Sequence, residues 1–264
     1  MMPYLTQRKQ IAQTGVNVSP LGLGTVKIGR NKGVKYPTEF TIPDDKHVLN
    51  LFEQAWDLGI NLIDTAPAYG NSEQRLGELL PKQGHDWVIA TKVGETFDAS
   101  SGESHYNFTP EFITSSIKQS LKNLRRDTLD IVLIHSNGND KHIIEHYGAL
   151  EVLAELKKQG IIRAIGMSTK TVEGGILALQ QSDLVMVMHH LNYQLEQAVL
   201  DHAAHHNKGV FIKKALASGH LSPKKTQDNF NLLYENPAVN SVIIGTINSS
   251  HLEDNVKKVA MAQP

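Results

Sequence analysis

The chain of 264 residues contains no cysteine. Disulfide bonds and thiolate chemistry are therefore excluded, and so is a small secreted scaffold held together by disulfides. A surplus of charge is also absent, because 26 basic side chains nearly balance 27 acidic ones. This balance argues against nucleic acid as a partner, and the sequence has no acidic tail.

Long hydrophobic runs are missing as well. No apolar stretch approaches the roughly 18 residues that cross a membrane, and residues 1–15 have no apolar signal core. We therefore expect no membrane contact and a cytoplasmic location. No segment rich in proline, glycine or serine divides the sequence, so we expect a single barrel domain over residues 1–264.

The sequence does contain a repeated alternation of short apolar runs with longer amphipathic segments. The runs are continuous rather than alternating, which is typical of strands buried on both faces of a parallel sheet. The helical segments have recognisable starts, such as Thr109 before Pro110, and glycine stops, such as Gly59 and Gly160. The predicted strands occupy residues 21–25, 60–64, 87–92, 129–135, 164–168, 184–190, 210–214 and 241–245.

Eight β/α units in a chain of this length predict an α/β fold, the (β/α)8 TIM barrel. A doubly wound sheet is the alternative, but it would carry a glycine-rich phosphate fingerprint after its first strand. The segment GLGTVKIG at residues 22–29 matches that fingerprint poorly. Residues 1–20 precede the first strand, and we expect a short N-terminal hairpin there, across the bottom of the barrel.

Four polar residues stand at the carboxyl ends of predicted strands, where barrels place their chemistry. Asp64, Lys92 and His135 end the second, third and fourth strands, and Tyr69 follows in the loop after Asp64. Each residue alone has an ordinary explanation: a helix cap, a solvated charge, a core histidine or a loop-packing ring. A strand-end carboxylate needs a partner, however, and Lys92 can supply it. The coincidence of all four at one rim favours a functional site.

The segments DTAPAYG, IATKVG, LDIVLIHS and IGMST, in this order and spacing, resemble those of the aldo-keto reductases, over about residues 18–255. The resemblance implies reduction of a small carbonyl compound, an aldehyde, ketone or sugar, with NADPH or possibly NADH. Tyr69 would then be the general acid, and Lys92, paired with Asp64, would lower its pKa from the usual value of about 10. His135 would hydrogen-bond the carbonyl oxygen and orient the substrate.

The resemblance also implies a cofactor site. Ser168 and Thr169 would hold the nicotinamide carboxamide, and Met188 stands where the family usually has glutamine. Lys213 stands where a ring-stacking tyrosine is common, and we expect it to point into the site instead. Further expected contacts are Gly24, Thr25, Val26 and Asp64 around the nicotinamide ribose, Leu216 and Ser218 at the pyrophosphate, and Gly245, Thr246, Asn248, His251, Asp254 and Asn255 around the adenosine phosphate.

Two other classes of protein remain open on the sequence. One is a non-catalytic redox sensor that binds NADPH and reports to a partner. The other is a barrel lyase or isomerase with a Schiff base on Lys92, which Asp64 disfavours because it would raise the lysine pKa.

We expect no metal site, although His202 and His206 lie four residues apart on a predicted helix. This helix lacks the glutamate of a zinc protease helix. We expect a monomer, and we expect substrate choice to depend on the loops at residues 26–36, 95–108 and 137–142.

Overall fold

The computed structural model describes residues 5–34, 36 and 39–263, except the side chains of Ser218 and Pro223. It begins with an antiparallel hairpin of two short strands, β1 (Lys9–Gln10) and β2 (Asn17–Val18). The expected N-terminal hairpin is therefore confirmed. The apolar side chains of this segment pack into the same buried cluster as the inward-facing residues of the barrel.

The remaining strands are β3 (Leu21–Gly24), β4 (Leu62–Asp64), β5 (Val88–Val93), β6 (Glu95–Asp98), β7 (Glu103–Tyr106), β8 (Leu129–His135), β9 (Ile162–Ser168), β10 (Leu184–Met188), β11 (Gly209–Lys213) and β12 (Val239–Ile244). Eight of them close into a parallel barrel in the order β10-β11-β12-β3-β4-β5-β8-β9, whereas β6 and β7 form a separate antiparallel hairpin. The TIM barrel prediction is confirmed. The ends of the eight predicted strands differ from the observed ends by at most two residues.

The helices are α1 (Val26–Gly29), α2 (Asp45–Asp57), α3 (Ser72–Leu79), α4 (Pro110–Leu124), α5 (Asp140–Glu145), α6 (Ala149–Lys158), α7 (Val172–Gln181), α8 (Gln197–His205), α9 (Thr226–Glu235) and α10 (Ser249–Ala262). Their ends follow the signals in the sequence. Thr109 caps α4 by accepting the Phe112 N–H, and Gly59, with a φ of 91°, ends the turn after α2. In the part of the chain described, no helix combines the length and apolar character needed to cross a bilayer.

The core has two layers that leave the upper rim for polar chemistry. Inside the barrel, inward-facing side chains such as Leu62, Leu133 and Phe211 form a buried apolar plug. Outside it, the strands pack against the apolar faces of the helices through residues such as Phe52 and Leu153. The polar side chains at the carboxyl ends of the strands lie above this plug, at a rim that we call the mouth of the barrel.

Candidate active site

Adjacent strands bring Asp64 and Lys92 together at the mouth. Lys92 Nζ donates to Asp64 Oδ1 over 2.6 Å and to the Thr65 carbonyl oxygen over 2.9 Å. The lysine side chain is 1% exposed and the aspartate side chain 5%. A buried ammonium is costly without a carboxylate and further acceptors, so the two residues depend on each other for their place in the fold.

Tyr69 reaches the same ammonium from the short 3-10 turn Pro67–Tyr69 that follows β4. Its hydroxyl oxygen accepts a hydrogen bond from Lys92 Nζ over 3.1 Å, and its ring packs edge-on against the ring of His135, with 6.2 Å between centroids. The turn is fixed by Gly70, which has a φ of 64°, and a Cβ there would lie 2.1 Å from the Gly29 carbonyl oxygen. The structure therefore brings the four predicted catalytic residues together.

Lys92 is expected to lower the pKa of Tyr69, but that pKa is raised in the structure. Burial raises the pKa of Tyr69 well above its usual value, the charges of Asp64 and Glu95 add to this increase, and that of Arg30 opposes it. The physical reason is that a phenolate at this position loses its hydration, and the charge of Lys92, which is shared with Asp64, does not offset that loss. Tyr69 is thus held as a neutral phenol that carries its proton at neutral pH.

His135 has a carboxylate partner that the sequence reasoning missed. Its Nδ1 lies 2.8 Å from Glu95 Oε2, and the two side chains are 19% and 11% exposed. The oxygen lies off the direction of the ring N–H, so this is an ion-pair contact rather than an in-line hydrogen bond. Burial lowers the pKa of His135, contact with Glu95 raises it, and the ammonium groups of Lys92 and Lys213 lower it.

Glu95 is the first residue of β6, in a loop that the sequence indicated only as a site of substrate choice. Burial alone would raise the pKa of this carboxyl, but the contact with His135, together with Ser104 and Arg30, lowers it to about 2. The guanidinium carbon of Arg30 lies 3.7 Å from the centre of the Phe97 ring. The hairpin of β6 and β7 is thereby fastened to the chain segment that follows α1.

On the opposite side of the mouth, Lys213 ends β11. Its Nζ donates to Ser168 Oγ over 2.8 Å and to the Thr169 carbonyl oxygen over 2.7 Å. Lys214 has a left-handed φ of 53°, so the strand ends between the two lysines. Burial lowers the pKa of Lys213 to about 7, with the charge of Glu196 opposing this shift.

Two buried carboxylates hold the loops around this lysine, and sequence reasoning missed both. Glu196 Oε2 accepts the Met188 N–H over 2.7 Å. Asp140 Oδ2 accepts the N–H groups of Lys170 and Thr171, each over 2.8 Å. Asp140 follows a strand end, as catalytic residues do, but nothing in its local sequence distinguishes it from an exposed helix start.

The polar atoms at the ends of β9 and β11 fit a nicotinamide carboxamide. Ser168 and Thr169 are buried, and Thr169 Oγ1 has no hydrogen-bond partner within the described residues. A buried hydroxyl without a partner is costly, and an amide ligand would satisfy it. Thr25, by contrast, already uses its hydroxyl to donate to the Asp64 carbonyl oxygen over 2.9 Å. The Ser218 side chain, one of the expected pyrophosphate contacts, lies outside the described residues.

The expected adenosine-phosphate residues gather at the start of α10. Asn248 Oδ1 caps this helix by accepting the N–H groups of Ser250 and His251 over 2.9 and 3.1 Å. Asn255 Nδ2 donates to the His251 carbonyl oxygen over 2.8 Å, and Asp254 pairs with Lys258. Thr246 is partly exposed and His251 is exposed, so both remain accessible to an anion. No group of three or more potential metal ligands occurs in the described parts of the chain.

The fold and the site together define a (β/α)8 barrel with a buried lysine, a partly buried tyrosine paired with it, and a histidine at its mouth. Such a site joins a proton donor to a charge that can stabilise its conjugate base. The chain belongs to the aldo/keto reductase family, whose model matches residues 20–232. The resemblance read from the sequence is therefore confirmed.

Several known proteins are similar to this chain. The aldo-keto reductase YhdN of Bacillus subtilis is 32% identical over 225 residues, which cover 83% of this chain and 64% of YhdN. The NADH-specific methylglyoxal reductase of Escherichia coli is 30% identical over 204 residues, covering 73% of this chain and 59% of that protein. A crystal structure of a Pseudomonas aeruginosa protein assigned to the aldo-keto reductases is 48% identical, with a TM-score of 0.89, and the match covers 99% of this chain and 97% of that one. The chain thus spans less than two thirds of the length of these two curated relatives.

Proposed function

We propose that this protein is an oxidoreductase that reduces the carbonyl group of a small aldehyde, ketone or sugar to an alcohol, with NADPH or NADH as the hydride source. The observation that carries the proposal is the position of Lys92 Nζ, 2.6 Å from Asp64 Oδ1 and 3.1 Å from the Tyr69 hydroxyl. A lysine that only balanced a buried aspartate would need no phenol. A neutral phenol beside an ammonium is a proton donor whose conjugate base has a counter-charge already in place.

In this proposal Tyr69 is the general acid. Because burial keeps it protonated, it donates its hydroxyl proton to the carbonyl oxygen, and Lys92 stabilises the phenolate that remains. Asp64 offsets the cost of burying the ammonium. His135 gives the same oxygen a second hydrogen-bond donor while negative charge develops there. When bound, the reduced nicotinamide supplies the hydride.

On the cofactor side, we propose that Ser168, Thr169 and Lys213 contact the nicotinamide carboxamide. The buried Thr169 hydroxyl without a partner and the ammonium beside it supply an acceptor and a charged donor. Thr246 and His251 are proposed to contact the adenosine phosphate beside the N-terminus of α10, where helix N–H groups favour anions. This arrangement favours NADPH, although the Escherichia coli relative is named for its specificity for NADH.

The test is to mix the protein with a reactive aromatic aldehyde and NADPH, with NADH in parallel, and to follow the near-ultraviolet absorbance of the reduced cofactor. Tyr69→Phe should nearly abolish oxidation of the cofactor, while cofactor binding measured by fluorescence survives. Tyr234→Phe is the matched control, because Tyr234 is partly buried as Tyr69 is, but its hydroxyl donates to the Pro20 carbonyl oxygen away from the mouth.

Two outcomes would overturn this proposal. Undiminished turnover in Tyr69→Phe would remove the tyrosine from the mechanism. Cofactor binding without oxidation, across aldehydes, ketones and sugars, would replace the reductase with a cofactor-binding sensor.

A further inference from the structure

We infer that Glu95 is a positioning residue for His135: its carboxylate holds the imidazole at Nδ1 and leaves Nε2 as the nitrogen that meets the substrate oxygen. The inference deepens the proposed carbonyl reduction and rests on it. Glu95 acts through His135 and has no direct role at the reacting atoms.

Glu95 pairs with a histidine although an arginine lies nearby. Arg30 lies close to Glu95, and a guanidinium is the usual partner of a carboxylate. Yet the Arg30 N–H groups donate to backbone carbonyl oxygens of Lys32, Gly33 and Ala68. Among the ion pairs of the described residues, Glu95 pairs with His135, over 2.8 Å. The carboxylate is thus directed at the imidazole, although a permanent cation is near.

Two ammonium groups and one carboxylate set the charge around His135. Lys92 on β5 and Lys213 on β11 both disfavour a positive charge on the imidazole. The Tyr69 ring packs edge-on against the imidazole ring. Glu95 is the carboxylate in contact that opposes them. With a proton on Nδ1 beside Glu95, Nε2 donates a hydrogen bond to a carbonyl oxygen only as part of an imidazolium. Glu95 therefore stabilises the form of His135 that reduction needs.

A backbone turn just before Glu95 brings this residue to its place beside His135. Gly94 precedes it with a φ of 101°, and a Cβ there would lie 2.4 Å from the Phe108 ring. This glycine turns the chain out of β5 and across the mouth, so that β6 begins beside the end of β8. Arg30, stacked on the Phe97 ring, keeps β6 in that position.

The test compares Glu95→Gln and Glu95→Asp with two controls. Glu103→Gln changes an exposed carboxylate on β7 of the same hairpin. Glu53→Gln breaks a second histidine–glutamate pair, in which His85 Nε2 lies 2.6 Å from Glu53 Oε2 near the surface. Three quantities are measured: the pH profile of kcat, the KM for the cofactor, and the pKa of His135 by nitrogen-15 NMR of the protein alone, assigned with His135→Gln.

We expect Glu95→Gln to lower kcat about tenfold or more, the scale that applies when a metal-ligating histidine loses the partner that orients it. The alkaline limb of its kcat profile, where His135 loses the proton that reduction needs, should move to lower pH together with the pKa of His135, and the KM for the cofactor should change less than kcat. Glu95→Asp should keep part of the kcat and part of the His135 pKa that Glu95→Gln loses. The two controls should resemble the parent protein.

The inference is overturned if Glu95→Gln leaves kcat and the His135 pKa unchanged, or if kcat falls while that pKa and the pH profile do not move. The second result would mean only a structural role for Glu95. If the parent protein reduces no carbonyl compound, the proposed function fails separately. The NMR measurement then still decides whether Glu95 controls His135, because it needs neither substrate nor cofactor.

Discussion

Lys213 Nζ donates to Ser168 Oγ over 2.8 Å, from the end of β11 to the end of β9, two strands away across the mouth. The same ammonium donates to the Thr169 carbonyl oxygen. An ammonium held in this way is fixed by two hydrogen bonds, partly buried and close to the Thr169 hydroxyl, which has no partner within the described residues. It differs from a stacking ring because it offers a charge and hydrogen bonds, and a bound cofactor would meet both.

Lys213→Met should weaken NADPH binding about tenfold or more, because a hydrogen bond that involves a charged group contributes about 1.5–3 kcal/mol. Fluorescence titration of the reduced cofactor measures this change. Lys208→Met is the matched control, since Lys208 Nζ donates to the Ser182 carbonyl oxygen from the segment before β11, at the other end of that strand. Unchanged affinity and turnover in Lys213→Met would remove this lysine from the cofactor site.

The contribution of Lys213 should also depend on pH. Burial lowers its pKa to about 7, so the side chain is charged below that pH and neutral above it. The advantage of the parent protein over Lys213→Met in NADPH affinity should therefore be large near pH 6 and shrink toward pH 8.5, both rough bounds on either side of that pKa. A constant ratio of the two affinities over this range would contradict the prediction.

Asp64→Asn should destabilise the fold and stop the reaction together. The substitution leaves the Lys92 ammonium buried without a carboxylate, and breaking a buried ion pair in this way costs about 3–5 kcal/mol in free energy of unfolding. Urea denaturation measures the loss. Asp45→Asn is the control, because Asp45 pairs with Arg75 over 2.6 Å but is 61% exposed, and such pairs contribute at most about 1 kcal/mol.

A double variant separates the two effects of Asp64. Asp64→Asn combined with Lys92→Met removes both charges, so it should recover stability relative to Asp64→Asn alone and still lack activity. A double variant that is less stable than the single one would mean that Lys92 packs the mouth independently of its partner.

Much of the fold could be predicted because its strands are buried on both faces and therefore appear as continuous apolar runs. The residues that end those runs, such as Asp64, Lys92 and His135, could be located for the same reason. Where the runs stop, the chain has reached the mouth, and polar residues there meet one another through the closure of the barrel. Strand order is enough to bring them together.

The rest of the site depends on contacts that no local pattern indicates. Glu95 begins a polar, mostly exposed hairpin, so its meeting with His135 follows from the path that Gly94 imposes rather than from any periodicity. Asp140 and Glu196 are buried to satisfy backbone N–H groups of loops, and a sequence does not show which carboxylate does so. The expectation that the pKa of Tyr69 falls is wrong, because the loss of hydration outweighs the attraction of a lysine whose charge is shared with Asp64.

Glu95 should also make the free energy of unfolding depend on pH in the acid range. Its pKa is lowered from the usual value of 4.5 to about 2 in the folded protein, so its carboxylate stabilises the fold above about pH 4.5. That contribution, at most about 3 kcal/mol at 1.36 kcal/mol per pKa unit, is lost as the pH falls from about 4.5 toward 2. The free energy of unfolding of Glu95→Gln, measured by urea at successive pH values, should therefore approach that of the parent as acid is added. The curve for Glu103→Gln should run parallel to the parent curve, because Glu103 is exposed. Parallel curves for Glu95→Gln as well would mean that the carboxylate gains nothing from His135 in the folded state.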